Sequence, residues 1–116
     1  HGMPLAVLLG QGEEALVHLG RKAPQLNPKQ VVLVGVRSYE SGEAALLKDL
    51  GVKIFFIDEV KKRGFSIIMQ EAIQIVSSHT KAFGVSVDLD AFDPMQAPGV
   101  GSPAVNGIEN LADIVK

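Results

Sequence analysis

The sequence predicts an α/β fold: a three-layer α/β/α sandwich around a parallel sheet. Three observations carry that expectation. Short apolar, β-branched runs recur, "VVLVGV" at 31–36 and "VKIFFI" at 52–57. Runs without polar alternation suit strands covered on both faces, as parallel strands are. Segments of helical periodicity separate the runs, so each strand-to-strand connection has room for a crossover helix, and such crossovers are right-handed.

The elements follow in order. Residues 4–9 suit a short helix or a strand, and length and periodicity leave both open. "GEEALVHLG" (12–20) places Ala15, Leu16 and Leu19 at helical spacing and reads as one or two helical turns or another short strand. "RKAPQLNPKQ" (21–30) is a connector, because its prolines and Asn-Pro step disfavour a long regular element. After the strand at 31–36, Ser41 is a candidate N-cap, Ala45, Leu46 and Leu50 share a helical face, and Gly51 stops the helix. The strand at 52–57 is followed by a helical turn, "DEVKKRG", closed by Gly64. In "FSIIMQEAIQIVSSH" (65–79), Ile68, Ala72, Ile75 and Val76 form the i, i+4, i+7, i+8 face of a helix. "FGVSVDL" (83–89) reads as a third strand.

Composition narrows the functional classes. The chain has 116 residues, 47% of them hydrophobic, enough for one domain with a real core. With 11 basic and 13 acidic residues, it lacks the positive field of a nucleic-acid or anionic-membrane binder. The run Lys61, Lys62, Arg63 is a solvated helix end. The absence of cysteine excludes disulfides, thiolate metal sites and cysteine nucleophiles. The apolar runs are too short to span a bilayer, and the expectation is a cytoplasmic protein without a membrane partner. The chain starts at His1 without an initiator Met, and a piece of a longer protein is expected.

The chemistry gathers at "SVDLDAFDPMQAPGVGSP" (86–103), where Asp88, Asp90 and Asp93 follow the apolar run. Ligands in parallel α/β sheets gather beyond the carboxyl ends of strands. In an extended strand Asp88 and Asp90 point the same way, about 6–7 Å apart, with Val87 and Leu89 facing the packing side. Two such carboxylates repel, and a divalent cation between them removes the problem; oxygen donors suit Mn or Mg, and added imidazoles favour Mn or Fe. The competing reading is that both acids cap the following loop. Asp93 precedes Pro94 and suits turn structure or support of the ligands behind it. Gly99 and Gly101 would let the backbone approach a ligand closely.

These residues carry a resemblance to the ureohydrolases, the arginase and agmatinase family. "SVDLDAFDPMQAPGVGSP" resembles that family's second metal-binding motif, "HGMPLAVLLG" the segment beyond its first, more arginase-like than agmatinase-like, and "VVLVGVRSYESGE" its central strand and Arg-containing loop. The resemblance runs to about Gly107. It implies a two-manganese hydrolase in which Asp88 bridges the metals and Asp90 chelates one. It makes His1 the histidine near the substrate, for proton transfer or substrate contact, and Asp93 a structural acid. The reaction implied is hydrolysis of L-arginine to L-ornithine and urea by water that two metals activate. A homo-oligomer, trimer or hexamer, is implied as well.

The family's upstream histidine and Asp-x-His-x-Asp cluster do not occur in the sequence, and no residue is assigned as the downstream acid that receives the guanidinium. Residues 1–116 are therefore expected to form part of a single ureohydrolase-like domain, without its upstream and downstream segments and incomplete for activity alone. Three rivals remain. An agmatinase or related guanidino or formimino hydrolase would use the same metal chemistry. A catalytically inactive α/β binding or regulatory module would keep only the sheet. A phosphoacceptor receiver could use Asp58, but the opening segment has no acidic pair after a strand, which such a module requires.

Overall fold

A computed structural model describes residues 2–20 and 23–109. Two strands, β1 (Val32–Val36) and β2 (Lys53–Phe56), pair in parallel. Their register sets Val32 opposite Lys53, Leu33 opposite Ile54 and Val34 opposite Phe55. The connection between them is α3 (Ser41–Leu50), which stops at Gly51 in the left-handed region at φ 82°. A residue without Cβ holds that conformation at no steric cost.

Strand alternation builds a layer on each face. Val32, Val34 and Phe55 face α4 (Ile57–Arg63) and α5 (Phe65–Ser77), packing with Val60, Ile68 and Ala72. Val31, Leu33 and Ile54 face the other way, against Leu5 and Leu9 around α1 (Met3–Leu8) and Leu47 of α3. Helix, sheet and helix make the three expected layers, with Phe55 and Ile68 both at 0% exposure in the centre. Each contributes ~1.5–3 kcal/mol by leaving water. Among the described residues, no helix is long and apolar enough to cross a membrane.

Elements that the sequence left open are resolved, and one expected packing stripe is revised. The opening segment resolves as helix: Pro4 sits in the first turn of α1, where its missing N–H costs nothing. A four-residue helix, α2 (Glu14–Val17), buries Val17 and leaves Leu16 and Leu19 exposed. On α3 the packed stripe is Ala44, Leu47 and Leu50 rather than Ala45, Leu46 and Leu50. The helix carries two overlapping apolar stripes, and the sheet selects the one spaced i, i+3, i+6. The basic run ends α4, with Arg63 paired to Glu59 at 2.7 Å and to Glu71, and Lys61 to Glu109 at 3.3 Å.

The third strand is the largest departure. Residues 82–88 carry no strand pairing, and Phe83, Val85, Val87 and Leu89 are exposed. An open cleft of about 1170 Å³ lies between this segment and β1, with Val34 and Val36 on one wall and Val85 and Val87 on the other. A strand exists through its neighbour's hydrogen bonds, and across the cleft there is none within reach. The same separation removes the packing expected behind Val87 and Leu89.

β1 itself is irregular near its carboxyl end. The register slips between Val34 and Val36, because Gly35 is bulged at φ 83°. An extra residue of this kind resets the alternation beyond it and bends the strand end. Ile108 packs close against this glycine: a Cβ there would lie 3.3 Å from its Cδ1.

Candidate metal centre

The acids sit where the unpaired segment turns into a short 3-10 helix, Leu89–Ala91. Asp88 is extended (φ −94°, ψ 124°), and its Oδ1 accepts from the Asp90 N–H at a long 3.4 Å. The expected strand geometry therefore fails at Asp90, which lies within the turn. The two carboxylates are not set by strict strand alternation, and Leu89 is exposed. Both acids nevertheless line the same cleft. Capping and metal ligation are compatible for Asp88, since one carboxylate oxygen makes a single weak contact.

Beyond the turn the chain is held firmly. Phe92 is 2% exposed and clusters with Ile57 and Ile108. The Asp93 N–H donates to the Ile108 carbonyl at 3.0 Å, and the Ile108 N–H donates to the Ala91 carbonyl at 3.0 Å. Gly107 permits this approach, since a Cβ there would overlap the Phe92 carbonyl carbon and the Asp93 nitrogen. Asp93 turns its Oδ1 to the Met95 N–H at 3.0 Å. That bond is the largest effect and holds its carboxyl below its ordinary value of 3.8 against burial, the next largest, with lesser help from the Gly107 and Asn106 N–H groups and the Lys61 charge.

Arg37, the first residue after β1, closes the arrangement. Its guanidinium donates to the carbonyls of Asp90 (2.6 Å), Ala91 (3.1 Å), Phe92 (3.3 Å), Ala104 (2.8 Å) and Val105 (3.2 Å). Two loops distant in sequence, 90–92 and 104–105, are thus pinned to one side chain. The hydrogen-bond partners of Arg37 are backbone carbonyls, and among the described residues it forms no ion pair.

The remaining candidates are more dispersed. Gly99 and Gly101 lie in the following loop, with no neighbouring atom within 4 Å of where a Cβ would stand. His1 lies outside the described residues. The Glu43 carboxylate reaches the place a Cβ on Gly2 would occupy, which brings an acid of α3 beside the chain next to His1. His18 turns its Nδ1 to the Glu14 carbonyl at 3.0 Å, a local helix-end contact. Glu109 is paired with Lys61.

Among the described residues, no group of three or more His, Cys, Asp or Glu side chains could hold a metal ion. Asp88 and Asp90 fit as part of a metal site: two oxygen donors on one cleft, neither ion-paired to a cation among the described residues. Divalent ions that favour oxygen take about six ligands, so two carboxylates need further donors from outside the described set.

Comparison with known proteins agrees with this architecture. A sequence profile described as the Arginase family matches residues 1–112. The arginase of Brevibacillus brevis is 44% identical over 108 residues, 93% of this chain and 36% of that protein. The solved arginase of Bacillus subtilis superposes with a TM-score of 0.88 at 42% identity, over 94% of this chain and 38% of that one. The arginase of Entamoeba histolytica, solved with L-ornithine, gives a TM-score of 0.82 at 32% identity, over 94% of this chain and 36% of that one. The chain thus spans little more than a third of the length of these relatives. Two acids on one cleft of a three-layer α/β/α sandwich, and a family match over nearly every residue, have one reading: the chain belongs to the arginase family.

Proposed function

We propose that the parent protein hydrolyses L-arginine to L-ornithine and urea with two manganese ions, and that Asp88 and Asp90 supply part of their ligand set. The observation that carries this is the pair of acids on one cleft, without a cation partner among the described residues, on a turn fixed from behind, in a chain of this family. When bound, the metals would supply a water activated as hydroxide and held close to the guanidinium carbon. The chain's own contribution is positional. Asp88 and Asp90 would hold the ions, Asp88 shared between them and Asp90 on one, while Asp93 and the buried Phe92 keep the turn from rearranging. His1 moves a proton to the departing amine or contacts the substrate, a role that suits imidazole at neutral pH.

Residues 1–116 form part of a single α/β domain whose other segments bring the remaining ligands. The unpaired segment 82–88 and its open cleft support that reading, as does the short span relative to the relatives. A small guanidino compound is the substrate, the protein is cytoplasmic, and it assembles as a trimer or hexamer. Agmatine or a related guanidino compound is the second candidate substrate, because residues that read the α-carboxylate and α-amine decide between them. The test is urea release by the full-length protein with manganese, on arginine and on agmatine separately. Preference for arginine supports the assignment, preference for agmatine replaces it, and no release from either compound at saturating manganese points to the inactive module.

A further inference from the structure

Arg37 makes more hydrogen bonds than any other side chain described, and all five acceptors are main-chain carbonyls. A guanidinium offers five N–H donors in a planar fork, so it can serve several carbonyls at fixed angles. One of its acceptors is the carbonyl of Asp90 itself, at 2.6 Å, and two others belong to the next two residues of the chain. The main chain of Asp90 cannot turn without breaking those bonds, which fixes the backbone from which its carboxylate projects. The apolar clusters on the two sheet faces assemble from other residues. The contacts of Arg37 therefore bear on the turn rather than on the fold's centre.

We infer that Arg37 is a positioning residue for the acids of the metal centre: it locks the 90–92 turn against the 104–105 loop, so that the Asp88 and Asp90 carboxylates are pre-aimed into the cleft before a cation arrives. This rests on the metal reading proposed above and extends it to a side chain whose hydrogen bonds all go to main-chain carbonyls. Pre-aiming matters because two carboxylates converging on one cleft repel each other when the cation is away. Without the lock, binding would have to order the turn at the same time. Lysine cannot replace the function, since an ammonium is a point donor with three protons and cannot span two loops.

The experiment uses the full-length protein and four forms: wild type, R37K, R37A and R63A. Arg63 bridges α4 and α5 through Glu59 and Glu71, so its loss reports on general destabilisation. Free manganese is measured by electron paramagnetic resonance, melting by circular dichroism, and urea release as a function of manganese. R37K is expected to weaken manganese binding by about 10–100-fold, the range for residues behind a ligand. Raising manganese should restore most of its kcat. R63A should lower the melting temperature without changing manganese affinity. Affinity in R37K equal to wild type overturns the inference, as does a loss no larger than in R63A at a matched fall in melting temperature.

Should the Arg37 variants fail to fold, wild-type hydrogen exchange decides. Manganese should slow exchange at the Asp93 and Ile108 amides that close the locked loop, since coupling is reciprocal. Unchanged protection there contradicts the inference. D88N and D90N separate the two claims: if they abolish manganese binding while R37K does not alter it, only the role of Arg37 falls. If wild type takes up no manganese, the metal reading and this inference fall together.

Discussion

At the scale of single residues, the candidate site depends on groups that carry no metal. Gly107 stands where any side chain would collide with the Phe92 and Asp93 backbone. Gly107→Ala should cost at least ~1–3 kcal/mol, the range for overpacking a close contact, and should open the loop that backs the acids. Chemical denaturation and manganese titration of that variant check both effects. Asp93 gives a pH-dependent signature. Its folded carboxyl titrates below 3.8, chiefly through the Met95 N–H, so its stabilising contribution is complete above that value and disappears as pH falls through the depressed pKa. Asp93→Asn should therefore lower stability at neutral pH and flatten the acid limb of an unfolding curve measured below pH 3.8. A curve parallel to wild type throughout would contradict that role.

At the scale of elements, packing accounts for what was legible. β1 is apolar and rich in β-branched residues, β2 carries Ile54 and two phenylalanines, and the two form because each has the other to pair with. The α5 face named from periodicity, Ile68, Ala72, Ile75 and Val76, turns inward, with Ile68 fully buried. Ile68→Ala should cost ~2–5 kcal/mol by cavity formation, readable as a shifted denaturation midpoint with unchanged slope. The segment 83–89 has the same composition as the strands but no neighbour, and composition says nothing about who sits beside a strand. On α3, periodicity allowed two stripes, and only the position of the sheet chose between them. Asp88 and Asp90 were legible as a pair from their spacing, although the turn at Leu89–Ala91 replaced the strand geometry that the spacing implied. Arg37 was visible as a residue but not as a clamp. Its partners are carbonyls 53 to 68 positions away, and carbonyls leave no mark in a sequence. Gly35, an isolated glycine inside an apolar strand, was the available signal of the bulge it forms just before Arg37.

At the scale of the whole molecule, the layers are closed and the cleft beside β1 is open. Phe83, Val85, Val87 and Leu89 present apolar surface along a backbone without ladder partners. Exposed edges of that kind pair with other chains. A polypeptide of these 116 residues alone should associate in a concentration-dependent way, seen by sedimentation velocity, and Val85→Lys should reduce it. Association unaffected by that substitution would place the sticky surface elsewhere. The same cleft carries the acids, so on the proposed reading the open wall and the two-acid ligand set have one origin: both are completed by further segments of the parent protein.

The most direct measurement is manganese binding and arginine hydrolysis by the full-length protein beside its D88N and D90N forms, at matched folding by circular dichroism. The account predicts that either substitution lowers manganese affinity and suppresses urea production even at high metal concentration. Unimpaired binding and turnover in both variants would contradict it.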